Sequence, residues 1–153
     1  MPLNNPSGAT SINDAVVKTA DEIINNSTTL QNDDELKYAL EASTVYVIEA
    51  YIYCVAAGDT GIKIGASVPA GCTIRMNRVG TQTSGSSVVV QSDETVNIQA
   101  RLDNAETKIV KVTFLLLNGV TAGNFQLKWA QATAVVANTT VKIGSAIIIT
   151  KLS

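Results

Sequence analysis

The chain has 153 residues, two cysteines, no histidine and a formal net charge of −2, with 46% hydrophobic and only 16% charged residues. That length suits one domain with a substantial core. The weak acidic balance leaves no electrostatic footprint for nucleic acid, and no window has the length and apolarity of a membrane span. Without histidine there is no Ser–His or Cys–His dyad, and the commonest metal ligand is missing.

Residues 1–20 stand apart. Pro2, Pro6 and Gly8 interrupt any regular element, and Asn, Ser and Thr fill the gaps. The polar start predicts a protein with no secretion signal, made in a reducing compartment, in which Cys54 and Cys72 are buried thiols. A disulfide between them stays open, because sequence does not give their separation. Ser11, with Asp14 three residues on, is a weak helix cap. The segment therefore reads as an extended arm with at most one helical turn, or as a disordered terminus. Leu3, Ile12, Val16 and Val17 are the apolar groups with which such an arm would dock on a neighbour.

From Glu22 the pattern is that of strands. Glu22 to Leu30 is a candidate first strand, closed by a polar turn over Gln31 to Glu35. Leu36 opens a short strand, Glu41-Ala42-Ser43 is a turn, and one long strand runs on to Ala57. Strand side chains alternate between faces. Tyr46, Ile48, Ala50, Ile52, Cys54 and Ala56 share one face and read as core; Val45, Val47, Glu49, Tyr51, Tyr53 and Val55 share the other. The second face is too apolar for a solvated surface, yet it carries an acid and two tyrosines. It reads either as a subunit interface, with Val47, Glu49, Tyr51 and Tyr53 at its centre, or as the second buried side of a central strand.

Gly58-Asp59 ends that strand, Gly61 to Val68 follows, and Pro69-Ala70-Gly71 turns the chain. Cys72 to Arg78 alternates again, and Val79 to Ser86 is a Gly/Ser/Thr-rich loop. Ser87 to Gln91 is short; Val96 to Asp103 alternates cleanly. Thr107 to Leu117 is a second long strand with Val110, Val112, Phe114 and Leu116 on one face. Asn118 to Gly123 turns into a strand that groups Phe125, Leu127 and Trp129; Val135 to Thr140 connects, and Val141 to Leu152 closes the chain. Many strands with regular turn signals, and no helical periodicity after Glu22, predict an all-β fold. The expected architecture is a jelly-roll-like antiparallel β-sandwich over residues 21–153, preceded by an arm over 1–20.

Sites for chemistry are sparse. Asp33, Asp34 and Glu35 have the composition of a calcium loop, although a solvated acidic turn is the commoner meaning. Tyr38, Tyr51, Tyr53 and Trp129 could line a sugar site, but at strand spacing such residues more often build a core or an interface. Glu41 and Glu49 are the only acids of the central stretch, and nothing in their spacing brings them together as a glycosidase pair. The expectation is no enzyme, no cofactor and no metal.

The segment VKTADEIINNSTTLQNDDELKYALEASTVYVIEAYIYC resembles a β-sandwich module of tailed-bacteriophage virion proteins, through Lys18 to Asp21, Ser27 to Leu30, Asp33 to Leu36 and Tyr46 to Glu49. Ile62 to Gly71, Val120 to Gln131 and Thr139 to Leu152 fit the same module, so the resemblance covers most of residues 18–153. It implies a homotrimer located in the virion. Modules of this kind serve as head decoration (cement) proteins and as tail fibre or tail tip domains. A fibre module usually follows a longer shaft; the short arm here favours a stand-alone decoration protein on the capsid surface, with the major capsid protein as partner. The alternative is a tail fibre or tail tip domain whose partners are tail proteins or a host surface glycan. Neither role involves nucleic acid or membrane.

Overall fold

The computed structural model describes residues 12–56, 60–79, 89–91, 98–100 and 107–152. Among these the regular structure is β alone. The strands are β1 (Ile12–Val17), β2 (Glu22–Asn25), β3 (Gln31–Leu40), β4 (Val45–Ala56), β5 (Ile62–Ser67), β6 (Thr73–Val79), β7 (Val89–Gln91), β8 (Ile98–Ala100), β9 (Thr107–Leu117), β10 (Gly123–Gln131), β11 (Asn138–Val141) and β12 (Ala146–Lys151). No helix among the described residues is long and apolar enough to cross a membrane.

Two antiparallel sheets form a jelly-roll-like sandwich. The large sheet has eight strands in the order β1-β12-β4-β9-β6-β7, with β11 also on β4 and β2 on β11; the small sheet has four, β3-β10-β5-β8. The chain crosses between sheets at most connections, which suits a jelly roll. β4 organises the large sheet because it is long enough to hold two strands along one edge. β12 pairs with Tyr46 to Tyr51, and β11 pairs with Cys54 to Ala56. Tyr53 falls in the gap, where its N–H donates to Ser145 Oγ (3.0 Å) and its carbonyl accepts from Lys142 N (2.8 Å) and Ser145 Oγ (3.2 Å). The buried Ser145 hydroxyl thus replaces a missing rung of the ladder, and no backbone group of Tyr53 is stranded.

The core lies between the sheets. Alternate residues of β4 and β9 supply one wall, Tyr46, Ile48, Ala50, Ile52 and Val112, Phe114, Leu116; Leu36, Ile62, Ile64, Phe125, Leu127 and Trp129 supply the other. Phe114 and Phe125 meet edge-to-face across the layers, with centroids 5.1 Å apart at 71°. Cys54 and Cys72 are both buried and are not joined in a disulfide, and burial pushes the Cys54 pKa up to about 12.

Several boundaries differ from those the sequence predicts. Residues 12–17, expected within the arm, form β1, which pairs with β12 from Ile12↔Lys151 to Val17↔Ala146. The sheet edge offers unpaired backbone groups, and satisfying them outweighs the weak cap at Ser11. The structured sandwich accordingly takes in β1, nine residues before the expected boundary at 21. The first strand stops at Asn25, because Asn26 turns left-handed at φ 50. The polar stretch Gln31 to Glu35 is the start of β3. Most of its polar side chains face solvent from an edge strand, where charge is tolerated, and Asp33 has a private partner inside. β11 begins at Asn138, inside the expected connection. The loop expected beyond Val79, Leu3, and the outer parts of the strands around β7 and β8 lie outside the described residues.

Candidate functional site

Among the described residues, the outer face of the large sheet is an unusual surface. Antiparallel pairing sets the residues of adjacent strands side by side. Val45 lies beside Leu117, Val47 beside Leu115, Glu49 beside Thr113, Tyr51 beside Lys111 and Tyr53 beside Ile109. On the other side of β4, Ile148 lies beside Glu49, Thr150 beside Val47 and Ala146 beside Tyr51. β1 extends the row with Val17 beside Ala146 and Ala15 beside Ile148. Much of this apolar surface is open: Val17 is 53% exposed, Ile109 67% and Leu117 46%. Exposed apolar groups thus adjoin half-buried ones across four strands, interleaved with Glu49, Lys111, Thr113 and Thr150.

Charge on that face is mostly paired within the subunit. Glu49 and Lys111 form an ion pair, and the Lys111 ammonium sits 5.1 Å from the centroid of the Tyr51 ring. Hydrogen bonds to Glu49 and then to Tyr51 raise the Lys111 pKa. On β6, Arg75 lies beside Leu115 and is exposed, a cation at the margin of the face.

The four residues expected at an interface, Val47, Glu49, Tyr51 and Tyr53, do share this face. The expected arm residues separate. Val17 joins the face, Val16 packs inward against the core, Ile12 pairs with Lys151, and Leu3 lies outside the described residues. Ile109, Leu115, Leu117 and Ile148 complete the face, although only the β4 residues stood out in the sequence. The signal was partly present: in TKIVKVTFLLL the alternate set left over from the core residues holds Ile109, Leu115 and Leu117 beside two threonines and a lysine.

A second cluster was not foreseen. Lys18, in the β1–β2 connection, turns its side chain between the sheets and is 2% exposed. Its ammonium donates to Asp33 Oδ1 (3.0 Å) and Oδ2 (2.9 Å), and to Glu22 Oε2 (2.9 Å). Asp33, 1% exposed, also accepts at Oδ1 from the N–H groups of Glu35 (3.0 Å) and Leu36 (2.8 Å). Glu22 accepts from Gln31 Nε2 (2.9 Å) and Asp34 N (3.1 Å). Burial pulls the Lys18 pKa down, but the hydrogen bonds and charges of Glu22 and Asp33 outweigh it, so the net shift is upward.

These contacts correct the acidic-turn reading of Asp33, Asp34 and Glu35. Asp33 is engaged by Lys18, and Glu35 accepts from Thr19 N (2.7 Å), Thr19 Oγ1 (2.8 Å) and Ala20 N (3.1 Å). No group of three or more metal-ligating side chains occurs among the described residues. The aromatics weighed as a sugar site do not converge. Trp129 is fully buried, Tyr38 donates to Asp14 Oδ2 (2.6 Å), and Tyr51 and Tyr53 lie on the outer face of the large sheet. Glu41 and Glu49 are engaged by different lysines, Lys151 and Lys111.

No family model matches the chain, and no curated protein matches it. Among solved structures it is similar to Eiger TNF from S. frugiperda, at 11% identity over 95% of this chain and 94% of that one, with a TM-score of 0.46. It is also similar to a chain of infectious bursal disease virus Gx strain, at 9% identity over 94% of this chain and 41% of that one, with a TM-score of 0.26. Likenesses at this level carry no argument about function.

Proposed function

We propose that the protein is a non-enzymatic structural component of a phage virion, a homotrimer that decorates the outer surface of the head and reinforces it. The observation that carries the assembly half of this reading is the outer face of the large sheet, where Val17, Tyr53, Ile109, Leu115 and Leu117 are exposed around half-buried Val47 and Tyr51. Covering such a face with copies of itself removes it from water without an external partner. The Glu49–Lys111 pair is already neutralised within one subunit, so identical faces can meet without opposing like charges there. Threefold assembly and the location in the virion rest on the resemblance of residues 18–153 to phage β-sandwich modules. The mechanism is mechanical: a trimer seated where capsid subunits meet joins them through buried area, with the major capsid protein as partner.

Sedimentation velocity at micromolar concentration tests the assembly, with about three chain masses expected. Co-sedimentation with purified heads lacking the protein tests the location. A monomer removes the assembly argument. A trimer that ignores heads but attaches to tails transfers the protein to the alternative reading, a tail fibre or tail tip domain that meets a host surface.

A further inference from the structure

We propose that Lys18 and Asp33 condense into an intramolecular amide, with Glu22 as the proton-transfer group. Three observations meet at this cluster. The nucleophile and electrophile are already in contact, with Lys18 Nζ 2.9 Å from Asp33 Oδ2, and both side chains are withdrawn from solvent. The two carboxylate oxygens are not equivalent. Oδ1 accepts two backbone N–H groups, from Glu35 and Leu36, whereas Lys18 is the only hydrogen-bond partner of Oδ2 among the described residues. Oδ1 is therefore placed to carry the negative charge of a tetrahedral intermediate, and Oδ2 to leave. Glu22 Oε2 touches the same ammonium at 2.9 Å, within reach of the protons that must move.

The resting cluster is one ammonium and two carboxylates. Proton transfer from Lys18 to Asp33 Oδ2 gives a neutral amine beside a neutral acid. The amine lone pair attacks Asp33 Cγ, forming the C–N bond while the C–Oδ1 π electrons move onto Oδ1. Glu22 takes one proton from the nitrogen and delivers it to Oδ2. The C–Oδ2 bond breaks and water leaves, with Glu22 again a carboxylate. One amide and one water replace the amine and the acid, no oxidant or activating group is consumed, and the net charge is unchanged. Exclusion of water from the pair favours the amide over its hydrolysis.

The bond would be a staple between layers. Lys18 follows β1 and precedes β2, both of the large sheet, while Asp33 lies in β3 of the small one. The two residues are fifteen positions apart, so the link closes a local loop and joins the sheets at one edge of the sandwich. This inference is independent of the trimer and of the virion location.

Intact-mass spectrometry of the full chain, in denaturant, tests it. The expected mass is that of the sequence less one water, with a branched peptide joining the segments that hold Lys18 and Asp33. Lys18 should also resist an amine-acylating reagent in denaturant. Glu22→Gln should slow the mass loss about 10²-fold or more, the usual worth of a positioned proton-transfer group. Asp33→Asn should reach the same linked product by releasing ammonia. A folded wild-type chain that keeps the full sequence mass after prolonged incubation overturns the proposal and leaves an ion cluster. So does a water loss mapped to a cyclised aspartate elsewhere.

Discussion

Before any condensation, the Lys18 ammonium is 2% exposed, and only its carboxylate partners make that tolerable. A buried ammonium with satisfied carboxylates is roughly neutral in free energy, but removing one partner strands the others. Lys18→Met should therefore destabilise the fold by about 3–5 kcal/mol, read from urea unfolding, because Asp33 keeps its charge inside. Tyr38 shows the same logic nearer the surface. Its hydrogen bond to the Asp14 carboxylate, with burial, raises its pKa from 10.0 to about 12. A raised tyrosine pKa means that folding favours the neutral phenol. Its contribution is full below the unfolded value and is lost as the pH rises through the folded one. Ultraviolet titration should find Tyr38 ionising near pH 12, and Asp14→Asn should move its transition down. Neither pair was legible in the sequence. Lys18 and Asp33 are fifteen residues apart, Asp14 and Tyr38 twenty-four, and no strand periodicity connects them.

Elements were more legible where both faces of a strand had a clear character. In β4 and β9 the predicted core rows are the buried ones, because alternation is set by backbone geometry and needs no tertiary information. Phe114→Ala should cost about 3–5 kcal/mol in denaturant unfolding, since the side chain is fully buried and its edge contact with Phe125 would leave a cavity between the sheets. β2 and β3 were less legible, because their ends depend on Asn26 turning left-handed and on a partner for Asp33. Turns carry a constraint of their own. A Cβ at Gly119 would lie 2.8 Å from the Gly71 carbonyl oxygen, so the turn after β9 and the turn before β6 touch through backbone. Gly119→Ala should lower the melting temperature by several degrees, corresponding to roughly 1–3 kcal/mol of overpacking.

Across the whole molecule, the large sheet presents apolar surface on both sides, and the small sheet covers only one. If the open side is the contact between copies, Tyr51→Asp should shift sedimentation towards monomer, while Asn124→Asp, exposed on β10 of the small sheet, should leave it unchanged. Deleting residues 1–19 is a poor probe of docking, because it removes β1 and Lys18 and so disturbs the sandwich itself. The sequence by itself determined the fold class, the long central strand and the two faces of β4. Alternation and turn chemistry are local, and they survive any choice of neighbour. The tertiary structure decided which strands pair, that residues 12–17 close the edge of the large sheet beside β12, and that the open face extends through Ile109, Leu117 and Val17. It also decided that a lysine of the β1–β2 connection and an aspartate of the small sheet meet inside. These are long-range facts: they depend on satisfying edge hydrogen bonds and buried charges, which no residue can do within its own segment.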